Sequence, residues 1–198
     1  MKRSREMRED GLPRTDIRSY PAQFVKSWRF DDGTDVAIRP IRPDDEPAMV
    51  RFHAAVSERS VYLRYFHMLS LDSRVSHERL KRICYIDYDR DMVLVVERAN
   101  PETRKPEILA VGRLNKTSDA TEAEVAVLIS DEFQGHGLGT ELVRNLIDIA
   151  RAEKLQRVTA DILPENDHML HVCRLLGFHL RHSIEEHVVK AELPLITR

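Results

Sequence analysis

Cysteine is scarce in this sequence: Cys84 and Cys173 are the only two among 198 residues. Two widely separated thiols make neither a disulfide framework nor a zinc site, and they suit a reducing, cytoplasmic compartment. Long apolar runs are missing as well. The longest, such as Met92-Val93-Leu94-Val95-Val96, have the length of a strand, so no membrane span is expected. Neither sign of charge prevails: 31 Lys+Arg face 33 Asp+Glu, a net charge of −2. That balance removes the global basic field with which a protein captures nucleic acid or an anionic membrane, and neither partner is expected. The opening MKRSREMRED is charged but has no apolar stretch behind it, so a secretory signal is not expected. What is present, 42% apolar residues, is the composition of an ordinary globular domain, long enough to bury one core.

Residues 1–20 are charged and aperiodic and read as a flexible arm, and residues 21–198 as one domain. Asp35 to Arg39 reads as a strand that the Pro40 to Pro43 stretch ends, and Asp44 then serves as a helix N-cap with Pro47 in the first turn. Helical spacing of apolar residues runs from there to about residue 85. Three strand-like segments follow, Met92 to Glu97, Ile108 to Leu114 and Glu122 to Ile129, separated by polar turns in the pattern of an antiparallel meander. From Gly139 to Lys154, Leu142, Val143, Leu146, Ile147 and Ala150 define one face of an amphipathic helix. A strand over Arg157 to Ile162, a helix over Asn166 to Leu176 closed by Gly177, and two strands near 178–185 and 187–193 complete the reading.

The informative segment is Gln134-Gly135-His136-Gly137-Leu138-Gly139-Thr140, which lies between a strand and a helix. The first amides of a helix lack intrahelical partners and sit at the positive end of its dipole, and glycines let a phosphate approach the main chain. A phosphate-bearing cofactor is the local inference. A nucleotide P-loop requires Gly-Lys-Ser/Thr at the helix entry, where this chain has Gly139-Thr140-Glu141. A dinucleotide fold offers a better rival, because Asp161 ends the next strand about 20 residues later, yet the glycine spacing is Gly-x-Gly-x-Gly and only one strand-helix-strand unit is present. A tight turn with no ligand is the remaining alternative.

The loop resembles the pyrophosphate-binding loop, Gln/Arg-x-x-Gly-x-Gly/Ala, of the GNAT superfamily of N-acetyltransferases. Pro164-Glu165-Asn166, Met169 and Leu175-Leu176-Gly177-Phe178 are similar to that superfamily's next motif. Val36 to Glu46, Ser60 to Phe66 and Ile86 to Met92 resemble the acetyltransferase domain of bacterial protein lysine acetyltransferases. The resemblance covers residues from about 20 to 195. It implies an α/β acyl-CoA N-acyltransferase fold, with a mixed, largely antiparallel sheet flanked by helices and splayed between the strand of Glu124 and that of Asp161. It also implies acetyl-CoA as cosubstrate, no metal, and a protein partner carrying an acceptor lysine, with an acyl-CoA synthetase as the suggested client. A small-amine acetyltransferase acting on a polyamine, amino acid or antibiotic, and a noncatalytic acyl-CoA-binding module, are the alternatives. Relatives of this branch are commonly fused to a synthetase-like or cyclic-nucleotide-binding region; these 198 residues hold neither, so regulation through one is not implied.

A lysine ammonium, with a pKa of about 10.4, must lose a proton before it attacks. The resemblance assigns that base to Glu124, and Glu122, two residues away on the same face, is the fallback. It implies that Gln134, Gly135, His136, Gly137, Leu138, Gly139 and Thr140 hold the pyrophosphate. The pantetheine would pair with backbone opened by a bulge near Val127, Leu128 and Ile129, the Leu128 amide being the expected donor to a developing oxyanion. Asn166 and Met169 would flank the same arm, Asn166 serving also as a helix cap. Cys173 stands where many relatives carry a tyrosine acid, and a packed thiol is the plainer reading. Asp87, Asp89 and Asp91 suggest an acidic entrance for a cationic acceptor. His168 and His171, three apart on a helix, lack a third ligand for a metal.

Overall fold

The computed structural model describes residues 20–119 and 121–195; apart from Tyr20, the expected N-terminal arm lies outside them. Two strands open the fold, β1 (Lys26–Arg29) and β2 (Asp35–Pro40). Four short helices follow: α1 (Glu46–Ala55), α2 (Glu58–Tyr65), α3 (Leu71–Val75) and α4 (His77–Cys84). The meander is β3 (Asp91–Ala99), β4 (Pro106–Lys116) and β5 (Glu122–Ile129). Then come α5 (Leu138–Ala152), β6 (Arg157–Ile162), α6 (Asp167–Leu175), β7 (His179–Ser183) and β8 (Val188–Pro194). Among the described residues the strands form one sheet in the order β1-β2-β3-β4-β5-β6-β8-β7. Neighbouring strands run antiparallel except β5 and β6, which are parallel.

The sheet is buried on both faces at its centre, which explains the unbroken apolar run in β3. Met92, Leu94 and Val96 pack on one side with Leu142 and Leu146 of α5. Val93 and Val95 pack on the other with Met49 and Phe52 of α1, Val61 of α2 and Leu80 of α4. Each such side chain removed from water contributes about 1.5–3 kcal/mol. The close approach of α5 depends on Gly112 of β4, where an added Cβ would stand 2.8 Å from Leu142 Cγ.

The stretch expected to be helical from about residue 44 to 85 is helical in pieces. Backbone turns extended at Val56, and Ser57 restarts the helix by accepting the Ser60 N–H (3.2 Å). Phe66, at φ 66°, ends α2 in the left-handed region, and Ser70 caps α3 through the Ser73 N–H (3.3 Å). Asp44 is not the working cap; the Asp45 carboxylate accepts the Arg42 N–H (2.7 Å) at the preceding turn. That carboxylate also anchors buried Arg39, which donates to both Asp45 oxygens (2.6 and 2.8 Å) and to Glu97. Strand β1 was absent from the sequence reading, being four residues with little alternation.

Candidate active site

The expected splay is present and has a definite geometry. β5 and β6 pair only at Glu122↔Arg157, Ala123↔Val158 and Glu124↔Thr159, after which the two strands run on unpaired with each other. A cleft of about 900 Å³ fills the gap, bounded by β5, the glycine loop, α6 and the end of α2. Glu124 stands exposed on the wall where pairing stops.

Hydrogen-bond parity decides which main-chain groups face this cleft. The Ser130 N–H donates to the Leu109 carbonyl and the Thr117 N–H to the Glu122 carbonyl, both at 2.9 Å, so even-numbered residues of β5 point their backbone groups at β4. Odd-numbered residues point toward β6, as the Gln156 N–H bond to the Thr121 carbonyl (2.7 Å) shows. The parallel pairing at Glu124↔Thr159 still uses the Val125 N–H, and the amides beyond it on the same side, Val127 and Ile129, open onto the cleft. Leu128, expected as the oxyanion donor, directs its amide into the β4 ladder instead. Nor is there a bulge at Val127–Ile129: the pairing with β4 is continuous from Lys116↔Ala123 to Ala110↔Ile129. The register shift of the meander lies at Val96/Glu97, and β5 is opened by the departure of β6.

The glycine loop turns into α5 with left-handed backbone at Gly135 (φ 78°) and Gly137 (φ 80°). Only glycine adopts these angles freely. An added Cβ at Gly135 would meet nothing within 4 Å, so the main chain is bare toward the cleft. Gly137 is the N-cap residue and supplies no side-chain cap, which leaves the first amides of α5 for an anion. Gln134, Gly135, Gly137, Gly139 and Thr140 line the cleft. His136 is exposed outside its lining and stacks edge-on near Phe30, while Leu138 is buried in the core.

The Gln134 side chain is a clamp. Its Nε2 donates to the Ile129 carbonyl (3.1 Å) and to Ser60 Oγ (2.9 Å). Ser60 and Ser57 in turn donate to Asp131 (2.8 and 2.6 Å). Burial pushes the Asp131 carboxyl upward, but the hydrogen bonds from Ser57 and Ser60 outweigh it and leave the group below the usual carboxylate range. The chain of bonds ties α2 to the glycine loop.

On the opposite wall, Asn166 accepts the Met169 N–H (3.2 Å) and caps α6, and both residues line the cleft. Val127, Leu128 and Ile129 line it as well. Cys173 does not: it is fully buried in the core, and burial pushes its thiol up to about 12, which makes it a packed residue. Glu122 is ion-paired to Arg157 and lies outside the cleft lining, so it is spoken for as a base. The acidic entrance is not there either. Asp91 binds Arg113 (3.1 Å), Asp87 accepts the Asp89 N–H (3.0 Å), and none of the three lines the cleft. His168 and His171 do line it, and among the described residues no group of three or more His, Cys, Asp or Glu is placed to hold a metal.

Comparison with known proteins decides the family. The acetyltransferase (GNAT) domain matches residues 35–179. The chain belongs to this family. Over 150 residues it is 31% identical to the acetyltransferase PA5475 of Pseudomonas aeruginosa, covering 75% of this chain and 77% of that one. It is 29% identical over 140 residues to the acetyltransferase Pat of Mycolicibacterium smegmatis, covering 71% of this chain but 40% of that protein's length. Among solved structures, the GNAT domain of S. lividans PAT superposes with a TM-score of 0.79 at 30% identity, covering 89% of this chain and all of that one. As a GNAT acetyltransferase it is an enzyme that takes acetyl-CoA, and the bare glycine turn, the uncapped start of α5 and the open β5 amides fit that cosubstrate. Among the described residues no helix is long and apolar enough to cross a membrane.

Proposed function

We propose that this GNAT enzyme acetylates the ε-amine of lysine on a protein, in the cytoplasm, by direct attack within a ternary complex. The observation that carries the reading is the position of Glu124, exposed at the point where β5 and β6 part. Acetyl-CoA supplies a thioester, an acyl group already activated toward nitrogen. The chain supplies the rest. The amides of the glycine loop and of α5 hold the pyrophosphate, and the cleft-facing backbone of β5 pairs with the amide-bearing arm. Glu124 takes the proton from the acceptor ammonium, directly or through one water, as the N–C bond forms. The amide of Val127, open to the cleft, is the donor for negative charge on the acyl oxygen. The C–S bond then breaks, and a thiolate with a pKa of about 8.5 departs without needing a strong side-chain acid. Buried Cys173 has no part in this.

The similarity to the acetyltransferase Pat and to the GNAT domain of S. lividans PAT supports acetyl transfer; the protein acceptor rests on the sequence resemblance to bacterial protein lysine acetyltransferases, which also suggests an acyl-CoA synthetase as the client. The test incubates the protein and its Glu124→Gln variant with labelled acetyl-CoA and a deacetylated bacterial lysate. Label on lysines of a few proteins, lost in the variant, is the expected result. Label confined to small amines overturns the protein acceptor in favour of a small-amine enzyme.

A further inference from the structure

The α1–α4 face of the sheet holds a second cavity, about 340 Å³, which shares Arg64, Tyr65, Ala126 and Leu128 with the acetyl-CoA cleft. Its floor is apolar, formed by Met49, Phe52, Val93 and Val111. Its rim carries four guanidinium groups from three elements: Arg64 of α2, Arg79 and Arg82 of α4, and Arg113 of β4. Their compensation is incomplete. Arg113 has Asp91 at 3.1 Å and Arg82 has Glu78 at 3.9 Å. Arg64 and Arg79 have no carboxylate within ion-pair distance among the described residues. Each lies instead over the Tyr65 ring, at 4.9 and 5.0 Å, with Glu124 the acid that reaches Arg64 electrostatically.

A further polar group lines this cavity. His53 is 1% exposed, and neither of its ring nitrogens has a hydrogen-bond partner among the described residues. The Nε atoms of Arg79 and Arg113 are likewise buried and unpartnered. Buried donors left open are uncommon and destabilising, and guanidinium groups crowded on one rim repel one another. One occupant answers both problems. Guanidinium forks match carboxylate and phosphate oxygens, and a neutral imidazole N–H is a further donor to the same oxygens.

We propose that this arginine-rimmed cavity is an anion site that binds a compact oxyanion, a carboxylate or phosphate group, beside the acceptor end of the cleft. The shared wall at Arg64 and Tyr65 places the anion next to Glu124. The group belongs either to the acceptor itself, borne near the amine that Glu124 deprotonates, or to a small free ion that conditions acceptor entry. The acceptor-borne alternative rests on the acetyltransferase reading above; the anion site itself does not.

Binding is measured without turnover. The full chain is titrated with sodium phosphate and, separately, with malonate, at ionic strength held constant with sodium chloride, and followed by calorimetry and by melting temperature. Saturable binding that raises the melting temperature is expected. Arg79→Gln should weaken it roughly tenfold or more, as loss of a charged hydrogen bond does, and Arg64→Gln should do likewise. Arg59→Gln, an exposed arginine on α2 outside both cavities, should leave it unchanged. No saturable binding at constant ionic strength, or equal binding by the folded Arg79→Gln and Arg64→Gln variants, overturns the proposal. In the acetylation assay, inhibition by phosphate or malonate that is competitive with the acceptor assigns the group to the acceptor. A rate effect that persists at saturating acceptor assigns a free ion. Anion binding with no acetyl transfer would sink the lysine acetyltransferase reading and leave the anion site standing; transfer without anion binding does the reverse.

Discussion

The two sides of β5 handle charge by different means. Toward α5 and α6 the proposed site for a polyanionic cosubstrate is made of backbone: left-handed glycines, the uncapped first turn of α5, and amides of β5 freed because β6 turns away. Toward α1–α4 it uses side chains, Arg64, Arg79, Arg82 and Arg113 around His53, brought from separate elements onto one apolar floor. Backbone recognition is insensitive to most substitutions and suits a cosubstrate common to a whole family. A side-chain site changes with every substitution, which is where one enzyme's choice of acceptor can reside. The helical half also contains an arginine of the opposite kind. Arg39 is 4% exposed and its charge is paired with Asp45 and Glu97, although its Nε, like those of Arg79 and Arg113, is buried without a partner; burial opposes the charge, and the hydrogen bonds to the two carboxylates outweigh it and hold the pKa above the ordinary value.

The sharpest test of that contrast between arginines is also the largest effect. Arg39→Met leaves Asp45 buried without its counter-charge, a change that typically costs about 3–5 kcal/mol. Urea unfolding should show the loss, with activity per folded molecule retained. Arg79→Gln should change stability little while emptying the anion cavity. A stable Arg39→Met protein would mean that the Arg39 cluster is no more structural than the rim of the cavity.

Glu124→Gln comes next. Removing a positioned general base lowers turnover by roughly 10²–10⁴-fold, while acetyl-CoA affinity by calorimetry stays at the wild-type value, because the cosubstrate is held by backbone. Turnover unchanged across the neutral range would remove Glu124 as the base. A fall in acetyl-CoA affinity would break the separation between the two sides of β5.

His53 makes the side-chain half sensitive to pH. Burial, reinforced by Arg79 and Arg74, pushes its pKa down from 6.5 to about 4. The groups facing it are cationic or neutral: Arg64 and Tyr65 of α2, Arg74 of α3, Arg79 and Arg82 of α4, and Arg113 of β4. Above pH 6.5 the imidazole is neutral in both folded and unfolded chains and pH has no purchase on it. Between 6.5 and 4 the unfolded chain binds a proton that the folded chain refuses, so stability falls as pH falls, by up to about 3 kcal/mol. His53→Phe should abolish this component. Unfolding free energies at pH 7 and pH 4.5 that drop equally in both proteins would refute it.

Gly137→Asp probes the backbone side. It forces an L-residue into φ 80° and sets a carboxylate beside the anion site. Acetyl-CoA binding should weaken by about tenfold, equivalent to about 1.4 kcal/mol, with anion binding in the arginine cavity untouched. Equal acetyl-CoA affinity would undo the assignment of the loop.

The two halves were unequally legible in the sequence. The strand of Glu124, the glycine loop, α5 and β6 were readable within a residue or two, because alternation, helical periodicity and glycine spacing are local signals. The splay was expected, but its cause was misplaced: parity along β5, fixed by the Ser130 and Thr117 hydrogen bonds, gives the free amides beyond the last pair with β6 to Val127 and Ile129 and not to Leu128. The helical half was blurred into one run, although Ser57 and Ser70 are serine caps that mark its breaks. The arginine cavity had no sequence signal at all. Its residues share no spacing, and only the packing of α1, α2 and α4 on the sheet brings them to one rim. The same lack of a tertiary frame made Asp87, Asp89 and Asp91 look like an entrance, when a turn and an ion pair with Arg113 account for Asp87 and Asp91.

The smallest effect concerns Cys173, the position at which the sequence resemblance would place a tyrosine acid. Full burial holds its pKa at about 12, so at neutral pH it neither ionises nor reaches the cleft wall formed by its neighbours Val172 and Met169. Cys173→Ala removes one buried sulfur from a packed core and should lower stability by about 1 kcal/mol, leaving turnover within about twofold of wild type. A large rate loss in a variant that still melts cooperatively would place the thiol on the path of the proton returning to the departing thiolate. Chemistry would then extend from β5 into α6, and the division of labour across β5 would need a third contributor.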